Sequence, residues 1–304
     1  MTGFADRLIG AVERTAPCVV GLDPVLDYIP DSFLRECGLS REGDLEEQAR
    51  ALEAFGLMVI EAVHDLVPAI KPQAAYFERY GSFGMRALER CMEAAREAGL
   101  EVILDVKRGD IGSTSTAYAR AYLDRQPPRP WEADCVTLTP YLGEDSLAPF
   151  VDVAKENEKG LFVCVRTSNP GASIVQMPRG EDGRHLFEVT ADLVKRFNDE
   201  VGLGERGYGP IGAVVGATQA DAAKSLRDRL PGVLFLVPGW GAQGGKLATV
   251  LACFDDNGSG AIVNSARAVL YPSRFGGGEG EGKDAIRAAA QKFVDEVGVA
   301  VRTK

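Results

Sequence analysis

Acidic and basic side chains alternate at short spacing in residues 104–114, and they are of the types that transfer protons. Asp105 and Lys107 end an apolar run at 100–107 that predicts a buried strand. Since side chains alternate along a strand, the two should point the same way. A second acid, Asp110, follows after a glycine that permits a turn. An ammonium held beside carboxylates stays protonated and can act as a general acid. The structural alternative, a strand-end salt bridge with Asp110 as a helix N-cap, is the more common meaning of an isolated Asp-x-Lys.

The elements that must position these groups follow one pattern, in which short apolar runs alternate with longer amphipathic segments. The predicted strands are 17–23, 67–71, 100–107, 135–139, 161–166, 211–216, 233–237 and 261–264. The predicted helices are 45–65, 83–98, 115–123, 146–156, 186–201, 219–230, 246–254 and 283–297. Such alternation indicates a parallel sheet with right-handed crossovers.

Eight strand–helix units in 304 residues fit a (β/α)8 TIM barrel, and we predict this α/β fold as a single domain over residues 1–304. The competing architecture is a doubly wound open sheet, whose glycine-rich dinucleotide turn should follow the first strand. The first strand runs instead into Gly21-Leu22-Asp23-Pro24, which has no G-x-G-x-x-G pattern. Residues 272–281 are predicted to be a surface excursion without a core role.

The composition argues against several classes of function. The net charge of −10 provides no field that attracts nucleic acid or an anionic membrane, so neither is expected as a partner. The sequence has no apolar run long enough to span a membrane, and residues 1–6 lack the basic and apolar parts of a signal peptide. The protein is therefore expected in the cytoplasm.

The histidines and cysteines do not form the patterns of a metal site. The six cysteines are scattered without a C-x-x-C pair, and Cys135 and Cys164 lie in strand-like runs, where reduced core residues are expected. The two histidines, His64 and His185, are far apart in sequence. With only two separated histidines, the sequence does not favour a histidine-based zinc site or a Ser-His-Asp triad, and no metal ligand is predicted.

In a (β/α)8 barrel the active site lies at the carboxyl ends of the strands, and several predicted strands end in polar residues. These residues are Asp23, Lys71, Asp105, Lys107, Thr139 and the segment 166–169. Singly, each is more often a residue at the entry to a loop. Acids and lysines that converge on one barrel mouth are costly unless they are paired, so the set indicates a functional site.

The last two strands supply a different chemistry. Strand seven runs into the glycine-rich segment 238–245, and strand eight runs into Asn264-Ser265-Ala266-Arg267. Backbone N–H groups of a glycine-rich turn and a nearby arginine can bind phosphate oxygens, and phosphate sites in these barrels commonly follow strands seven and eight. The alternative is a flexible loop beside an unrelated surface arginine. We expect a substrate that carries a phosphate.

With these residues assembled, the chain resembles the orotidine 5′-monophosphate decarboxylase family. Residues 105–114, which read DVKRGDIGST, correspond to the family's D-x-K-x-x-D-I-x-x-T signature. Further matches are Gly21-Leu22-Asp23-Pro24, Ile70-Lys71-Pro72, Thr167-Ser168, 238–245 and Arg267. The long first and fifth connections resemble the larger bacterial subfamily, type 2. The turn Asn264-Ser265-Ala266-Arg267 departs from the shorter Gly-Arg turn of many members.

The resemblance implies a lyase that converts orotidine 5′-monophosphate into uridine 5′-monophosphate, the last step of de novo pyrimidine synthesis, without a metal or other cofactor. It implies that Lys107 delivers a proton to C6 of the pyrimidine as carbon dioxide leaves. Asp105 is then expected against the substrate carboxylate, and Lys71 is expected to pair with Asp105 and reach the ribose.

The resemblance also implies a homodimer, in which Asp110 together with Ile111 and Thr114 enters the active site of the neighbouring subunit. The other implied substrate-binding residues are Asp23 for the ribose hydroxyls, Ser168 for the pyrimidine edge, Gln243 between base and phosphate, and Arg267 for the phosphate, with Gly244 and Ala266 also in contact with substrate.

Three alternatives stay open at this point. A magnesium-dependent sugar-phosphate decarboxylase or aldolase on the same barrel would be expected to have an acidic metal ligand near the end of strand two, where this chain has Lys71. A Schiff-base aldolase would use Lys107 or Lys71, but flanking acids keep a lysine charged and non-nucleophilic. A non-catalytic nucleotide-phosphate binder is the third alternative, and the intact set of Asp105, Lys107 and Asp110 argues against it.

Overall fold

Eight parallel strands follow one another around a closed barrel in the computed structural model of this chain. The structure describes residues 3–126, 131–218, 220–241 and 244–304. The strands are β1 (Cys18–Leu22), β2 (Ala69–Pro72), β3 (Glu101–Arg108), β4 (Cys135–Leu138), β5 (Gly160–Arg166), β6 (Gly209–Val215), β7 (Val233–Pro238) and β8 (Ala261–Ser265). Strand β8 pairs with β1, with Asn264 beside Val19, so the sheet closes on itself. The predicted (β/α)8 fold is confirmed, and the open sheet is excluded.

Helices connect the strands and cover the outside of the barrel. They are α1 (Phe4–Arg14), α2 (Asp31–Glu36), α3 (Leu45–Val63), α4 (Ala74–Glu78), α5 (Gly81–Glu97), α6 (Gly112–Leu123), α7 (Glu144–Asn157), α8 (Ala172–Gln176), α9 (Leu186–Val201), α10 (Ala220–Arg229), α11 (Leu247–Ala252), α12 (Arg267–Leu270), α13 (Pro272–Phe275) and α14 (Gly282–Arg302). Every predicted helix is present: the one at 186–201 has the bounds of α9, and the others differ at one or both ends. The sequence analysis did not predict α1 or the short helices α2, α4, α8, α12 and α13. A helix of one or two turns is too short to show a periodicity. Within the described ranges, no helix combines the length and the apolar character needed to cross a membrane.

The alternation of side chains along the strands divides the core in two. The inward residues fill the barrel interior together with one side of α1, and they are Val19, Ala69, Ile103, Cys135, Phe162, Val214, Leu234, Leu236 and Ile262. Outward residues such as Val20 and Ile70 pack against the surrounding helices. Phe4 of α1 meets Phe162 edge-on, with 6.3 Å between ring centroids. It also lies against Gly160, the first residue of β5, so α1 covers the end of the barrel where the strands begin.

The same alternation places polar side chains above this apolar layer. Two residues further along six of the strands, toward their carboxyl ends, the side chains again point inward. These positions are Gly21, Lys71, Asp105, Thr137, Cys164 and Asn264. A side chain at Gly21 would bring its Cβ within 2.7 Å of the Ala266 Cβ, so glycine lets β1 approach the turn after β8. The barrel therefore changes from apolar to polar between its middle and its carboxyl end.

The connection after α12, which the sequence predicts to be a surface excursion, packs against the rest of the protein in its first part. Pro272 is buried, and the Gly277 N–H donates to its carbonyl oxygen at 3.0 Å. A Cβ on Gly277 would lie 1.8 Å from the carbonyl oxygen of Ala268. The prediction that residues 272–281 have no core role is wrong for 272–277, which pack against the helix that begins at Arg267, whereas residues 278–281 are exposed at the surface.

We expect Gly277→Ala to lower the free energy of unfolding by about 1–3 kcal/mol, because the added methyl group must displace backbone atoms. Gly278→Ala is the matched control, since the atom nearest to a Cβ at that position is 3.9 Å away. That control should stay within about 0.5 kcal/mol of the parent protein. Urea unfolding followed by circular dichroism measures both, and equal stability of the two variants would contradict the close packing at Gly277.

Candidate active site

A cavity of about 450 Å³ opens at the carboxyl ends of the strands. Of the residues to which the family resemblance assigns a role in catalysis or substrate binding, those that line it are Asp23, Lys71, Asp105, Lys107, Ser168, Ala266 and Arg267, and Thr139 and parts of the predicted segments 166–169 and 238–245 line it as well. They come from both ends of the chain, and closure of the barrel brings them to one place. Gly244 does not line the cavity, and Gln243 lies outside the described residues.

A buried carboxylate shared by two lysines forms one side of the cavity. The Asp105 Oδ2 atom accepts from Lys71 Nζ at 2.7 Å, and Oδ1 accepts from Lys107 Nζ at 2.6 Å. The hydroxyl of Thr137, on the neighbouring strand β4, donates to Oδ1 at 2.8 Å. The side chain of Asp105 is 8% exposed and that of Lys71 is 5% exposed, whereas that of Lys107 is 50% exposed. Lys107 is therefore the member of the trio that a bound molecule can reach.

The charges of this cluster fix one another. Burial alone would raise the pKa of Asp105, but the charges of Lys71 and Lys107 outweigh it and hold that pKa well below its usual range. Burial would lower the pKa of Lys71, and the nearby carboxylates of Asp105 and Asp23 raise it above its usual value instead. Asp105 is consequently an anion and Lys71 a cation at neutral pH, so Lys71 is not available as a nucleophile.

Two buried oxygen atoms in the cavity wall have no hydrogen-bond donor among the described residues. They are Oδ1 of Asp23, the residue that follows β1, and Oδ1 of Asn264 on the neighbouring strand β8. Burial raises the pKa of Asp23, although the charge of Lys71 opposes the shift. Buried acceptors without a partner are unfavourable, and the hydroxyl groups of a bound sugar would supply the missing donors.

The backbone at Lys107 adopts a conformation that L-residues rarely use. Its φ is 42°, in the left-handed region, and its N–H donates to the Thr137 hydroxyl at 3.0 Å. The register between β3 and β4 shifts here: β3 advances from Leu104 to Arg108 while β4 advances only from Val136 to Leu138. This bulge aims Lys107 into the cavity, as bulges near active sites commonly do.

The opposite end of the cavity is formed after β7 and β8. Arg267 is the first residue of α12, and its guanidinium lies over the ring of Phe275 at 5.3 Å. Trp240 and Gly239 line the same region, and the Gly245 N–H donates to the carbonyl oxygen of Gly239 at 3.0 Å, which brings these two glycines together. A cation beside glycine-rich backbone suits a phosphate group.

The segment after β5 forms a third wall and is held by a residue that the sequence did not indicate. Gln176, the last residue of α8, accepts from the Thr167 N–H and from Arg166 Nη1, both at 3.0 Å. Its Nε2 donates to the Thr167 hydroxyl at 2.9 Å. Ser168 follows directly and lines the cavity, so its position depends on this contact.

Asp110, Ile111 and Thr114 lie outside the cavity of their own chain. Asp110 accepts the N–H of Ile111 at 2.8 Å, and the side chains of Ile111 and Thr114 are exposed at the start of α6. The structure thus separates these residues from Lys107, although they follow it closely in the chain.

Sequence reasoning missed Thr137, Gln73 and Gln176, all of which line the cavity, whereas Trp240 lies within the predicted segment 238–245. Thr137 could have been found from the sequence. It carries the only hydroxyl in the apolar run Cys135–Leu138, and it lies two residues after the inward Cys135, so its side chain also points inward. Cys164, expected in the core, lines the cavity, and burial raises the pKa of its thiol to about 11, so it is neutral at pH 7. In the described part of the chain, no three acidic, histidine or cysteine side chains are grouped so as to hold a metal ion.

Comparisons with known proteins agree on one family. Residues 44–270 match the model of the "Orotidine 5'-phosphate decarboxylase / HUMPS family". The orotidine 5′-phosphate decarboxylase of Rhodopirellula baltica is 43% identical over 305 residues, which cover 98% of this chain and 99% of the relative. That of Caldicellulosiruptor bescii is 39% identical over 277 residues, which cover 89% and 90%. The solved structure of Leishmania donovani OMP decarboxylase is 32% identical with a TM-score of 0.76, and the match covers 99% of this chain and 100% of that chain.

We expect Asp105→Asn to lower the free energy of unfolding by about 3 kcal/mol at neutral pH, because it leaves the ammonium of Lys71 buried without its counter-ion. The folded-state pKa of Asp105 lies below the usual 3.8, so the stabilisation is complete above that pH and is lost as pH falls. The raised pKa of Lys71 means that its contribution is lost only when pH rises beyond 10.5. The difference between parent and variant should thus be constant from about pH 5 to 9 and shrink below about pH 4.

Urea unfolding of both proteins at a series of pH values measures this difference. The control is Asp199→Asn, which removes a solvent-exposed partner of Lys195 and should change stability by less than about 0.5 kcal/mol. A difference for Asp105→Asn that grows as pH falls would contradict the charge assignment.

Proposed function

This chain belongs to the orotidine 5′-phosphate decarboxylase family and decarboxylates orotidine 5′-monophosphate to uridine 5′-monophosphate in pyrimidine synthesis, and we propose that Lys107 is the acid that protonates C6. The single observation that carries this proposal is the Lys71–Asp105–Lys107 cluster on one side of the cavity, in which Lys107 is the exposed member. No other described lysine lines the cavity except Lys71, which is enclosed by its carboxylate partners.

The polar groups of the cavity support one orientation of the nucleotide. Arg267 and the turn after β7 receive the phosphate, and the unpaired oxygens of Asp23 and Asn264 accept hydrogen bonds from the ribose hydroxyls. Ser168 then faces the pyrimidine edge. The C6 carboxylate is left at the remaining side, where Asp105 and Lys107 lie.

In the proposed reaction the bond between C6 and the carboxylate carbon breaks, carbon dioxide leaves, and the electron pair remains on C6. The ammonium of Lys107 gives a proton to C6, so uridine 5′-monophosphate forms and the lysine becomes a neutral amine that solvent reprotonates. The carbanion at C6 is poorly delocalised. A fixed ammonium beside it therefore stabilises charge that develops only in the transition state.

Asp105 has a second role in this proposal. Its carboxylate lies where the substrate carboxylate must approach, and the repulsion between them is relieved when carbon dioxide departs. Binding energy gained at a distance, by the phosphate on Arg267, can offset that repulsion in the ground state. This division of roles needs no electron sink, so the proposal contains no cofactor.

The magnesium-dependent lyases on this barrel are a less suitable model for this site. The position at the end of β2, where they would be expected to have an acidic ligand, is occupied by the buried ammonium of Lys71, which pairs with Asp105. A divalent cation there would be repelled by both Lys71 and Lys107. The non-catalytic binder has no specific observation in its favour.

We further propose a homodimer with shared active sites. Asp110, Ile111 and Thr114 lie outside the cavity of their own chain, and Ile111 is 54% exposed. In the adjacent connection after β4, Tyr141 is 78% exposed. The two connections meet where Gly109 lies against Thr139, so these apolar side chains are available to cover a partner subunit. The cytoplasmic location stays a prediction.

We expect Lys107→Ala to abolish turnover of orotidine 5′-monophosphate while uridine 5′-monophosphate still binds, because the proton donor is lost and the ribose and phosphate contacts remain. Loss of substrate absorbance, followed in the presence of a chelator, measures turnover, and calorimetry measures product binding. The parent protein in chelator is the control: activity that needs added magnesium would favour the metal-dependent lyase. A Lys107→Ala protein that retains turnover would contradict the assignment of the acid.

We expect a mixture of Lys107→Ala and Asp110→Ala proteins, refolded together, to recover activity that neither has alone. Random pairing leaves one complete site in each mixed dimer, so up to about a quarter of the parent activity should return. The control is each variant refolded by itself at the same total concentration. No recovery, with mixed dimers present, would count against sites shared between subunits.

A further inference from the structure

We propose that Thr137 is the residue that positions the proton donor, acting through both Lys107 and Asp105. This inference rests on the proposed role of Lys107 and adds a residue that lies on a different strand. Thr137 is 1% exposed, lies on β4 and lines the cavity beside the charged cluster. Its hydroxyl contacts the two residues that matter most for proton transfer.

The hydroxyl of Thr137 both donates and accepts a hydrogen bond. Its proton goes to Asp105 Oδ1 at 2.8 Å, the same oxygen that accepts from Lys107 Nζ at 2.6 Å. Its oxygen accepts from the Lys107 backbone N–H at 3.0 Å. One side chain therefore fixes the backbone of the donor and the carboxylate that holds the donor's ammonium. Because the only proton of this hydroxyl is committed to Asp105, Thr137 acts through the protein and not on the substrate.

The backbone of β3 shows why such a contact is needed. Where β3 advances from Leu104 to Arg108, β4 advances only from Val136 to Leu138, so the regular ladder is interrupted around Lys107. The Lys107 N–H, which lost its strand partner in this bulge, is satisfied by the Thr137 side chain. Lys107 also has a φ of 42°, a conformation that persists only where the surroundings impose it.

Two consequences follow for the reaction. Without the hydroxyl, the bulge can relax toward ordinary extended backbone, and the Lys107 ammonium moves away from the place where C6 protonation occurs. The carboxylate of Asp105 also loses one of the three hydrogen bonds that set its orientation. The phosphate and ribose contacts, which lie on β1, β7 and β8 and in the connections after them, are not touched. The loss should thus appear in the chemical step and not in binding.

The test compares Thr137→Val, which keeps the shape and removes the hydroxyl, with Thr137→Ser, which keeps the hydroxyl. Since displacement of a reacting group by about 1 Å can cost a hundredfold in rate, we expect Thr137→Val to lower kcat by about 10- to 100-fold. KM and the affinity for uridine 5′-monophosphate should stay within about threefold. Thr137→Ser should retain kcat within about threefold of the parent. Thr249→Val, at an equally buried threonine on α11 whose hydroxyl bonds none of the described cavity residues, is the control and should not change kcat.

Three results would overturn the inference: an unchanged kcat in Thr137→Val, an equal loss in Thr137→Ser, or a parallel loss of product binding. If Thr137→Val does not fold, Thr137→Ala removes the hydroxyl without adding an apolar branch and is judged by the same comparison. The two proposals remain separable. Turnover by Lys107→Ala would overturn the assignment of the acid, whereas an active Thr137→Val beside an inactive Lys107→Ala would overturn only the role of Thr137.

Discussion

The buried carboxylate of Asp105 is the constraint on which the active site depends. An anion removed from water is unfavourable unless nearby charges and hydrogen bonds compensate it, and here Lys71 on β2, Lys107 on β3 and Thr137 on β4 all contribute. These contacts are available because the three strands are parallel neighbours whose inner faces point to one axis. The charge cluster, like the core, therefore forms only because β2, β3 and β4 are adjacent strands of the barrel. Of the two lysines in this cluster only Lys107 is well exposed, and it is the residue proposed as the acid.

The far end of the cavity is tied to the near end by aromatic packing. The hydroxyl of Tyr271, just after α12, accepts the Val25 N–H at 2.7 Å and donates to the carbonyl oxygen of Asp23 at 3.3 Å. Its ring stacks on Phe55 with 5.5 Å between centroids. The helix that begins with Arg267 is consequently held in a fixed relation to Asp23, the residue proposed to bind ribose. Such rigidity is what allows binding energy at a phosphate to act on a distant carboxylate.

The floor of the cavity has a different origin from its walls. Inward apolar residues such as Ile103 and Ala69, covered from below by α1, form a packed layer directly beneath Asp105 and Lys71. This layer keeps the two charges in surroundings of low polarity, where electrostatic interactions are stronger than in water. The apolar core thus contributes to the chemistry through the environment that it creates for the charged residues.

The sequence by itself determined the fold class, the strands and the charged residues at their ends, because periodicity and alternation are local properties of the chain. Asp105, Lys107, Lys71 and Asp23 could be placed on one barrel mouth by counting along strands. Only the tertiary structure decided how β3 and β4 pair, and therefore the bulge, the left-handed backbone of Lys107 and the contact with Thr137. These features depend on register between strands, which no local pattern specifies. The short helices, including α12 that presents Arg267, were hidden for a related reason: their stability comes from packing against the barrel, and their few residues carry no period of their own.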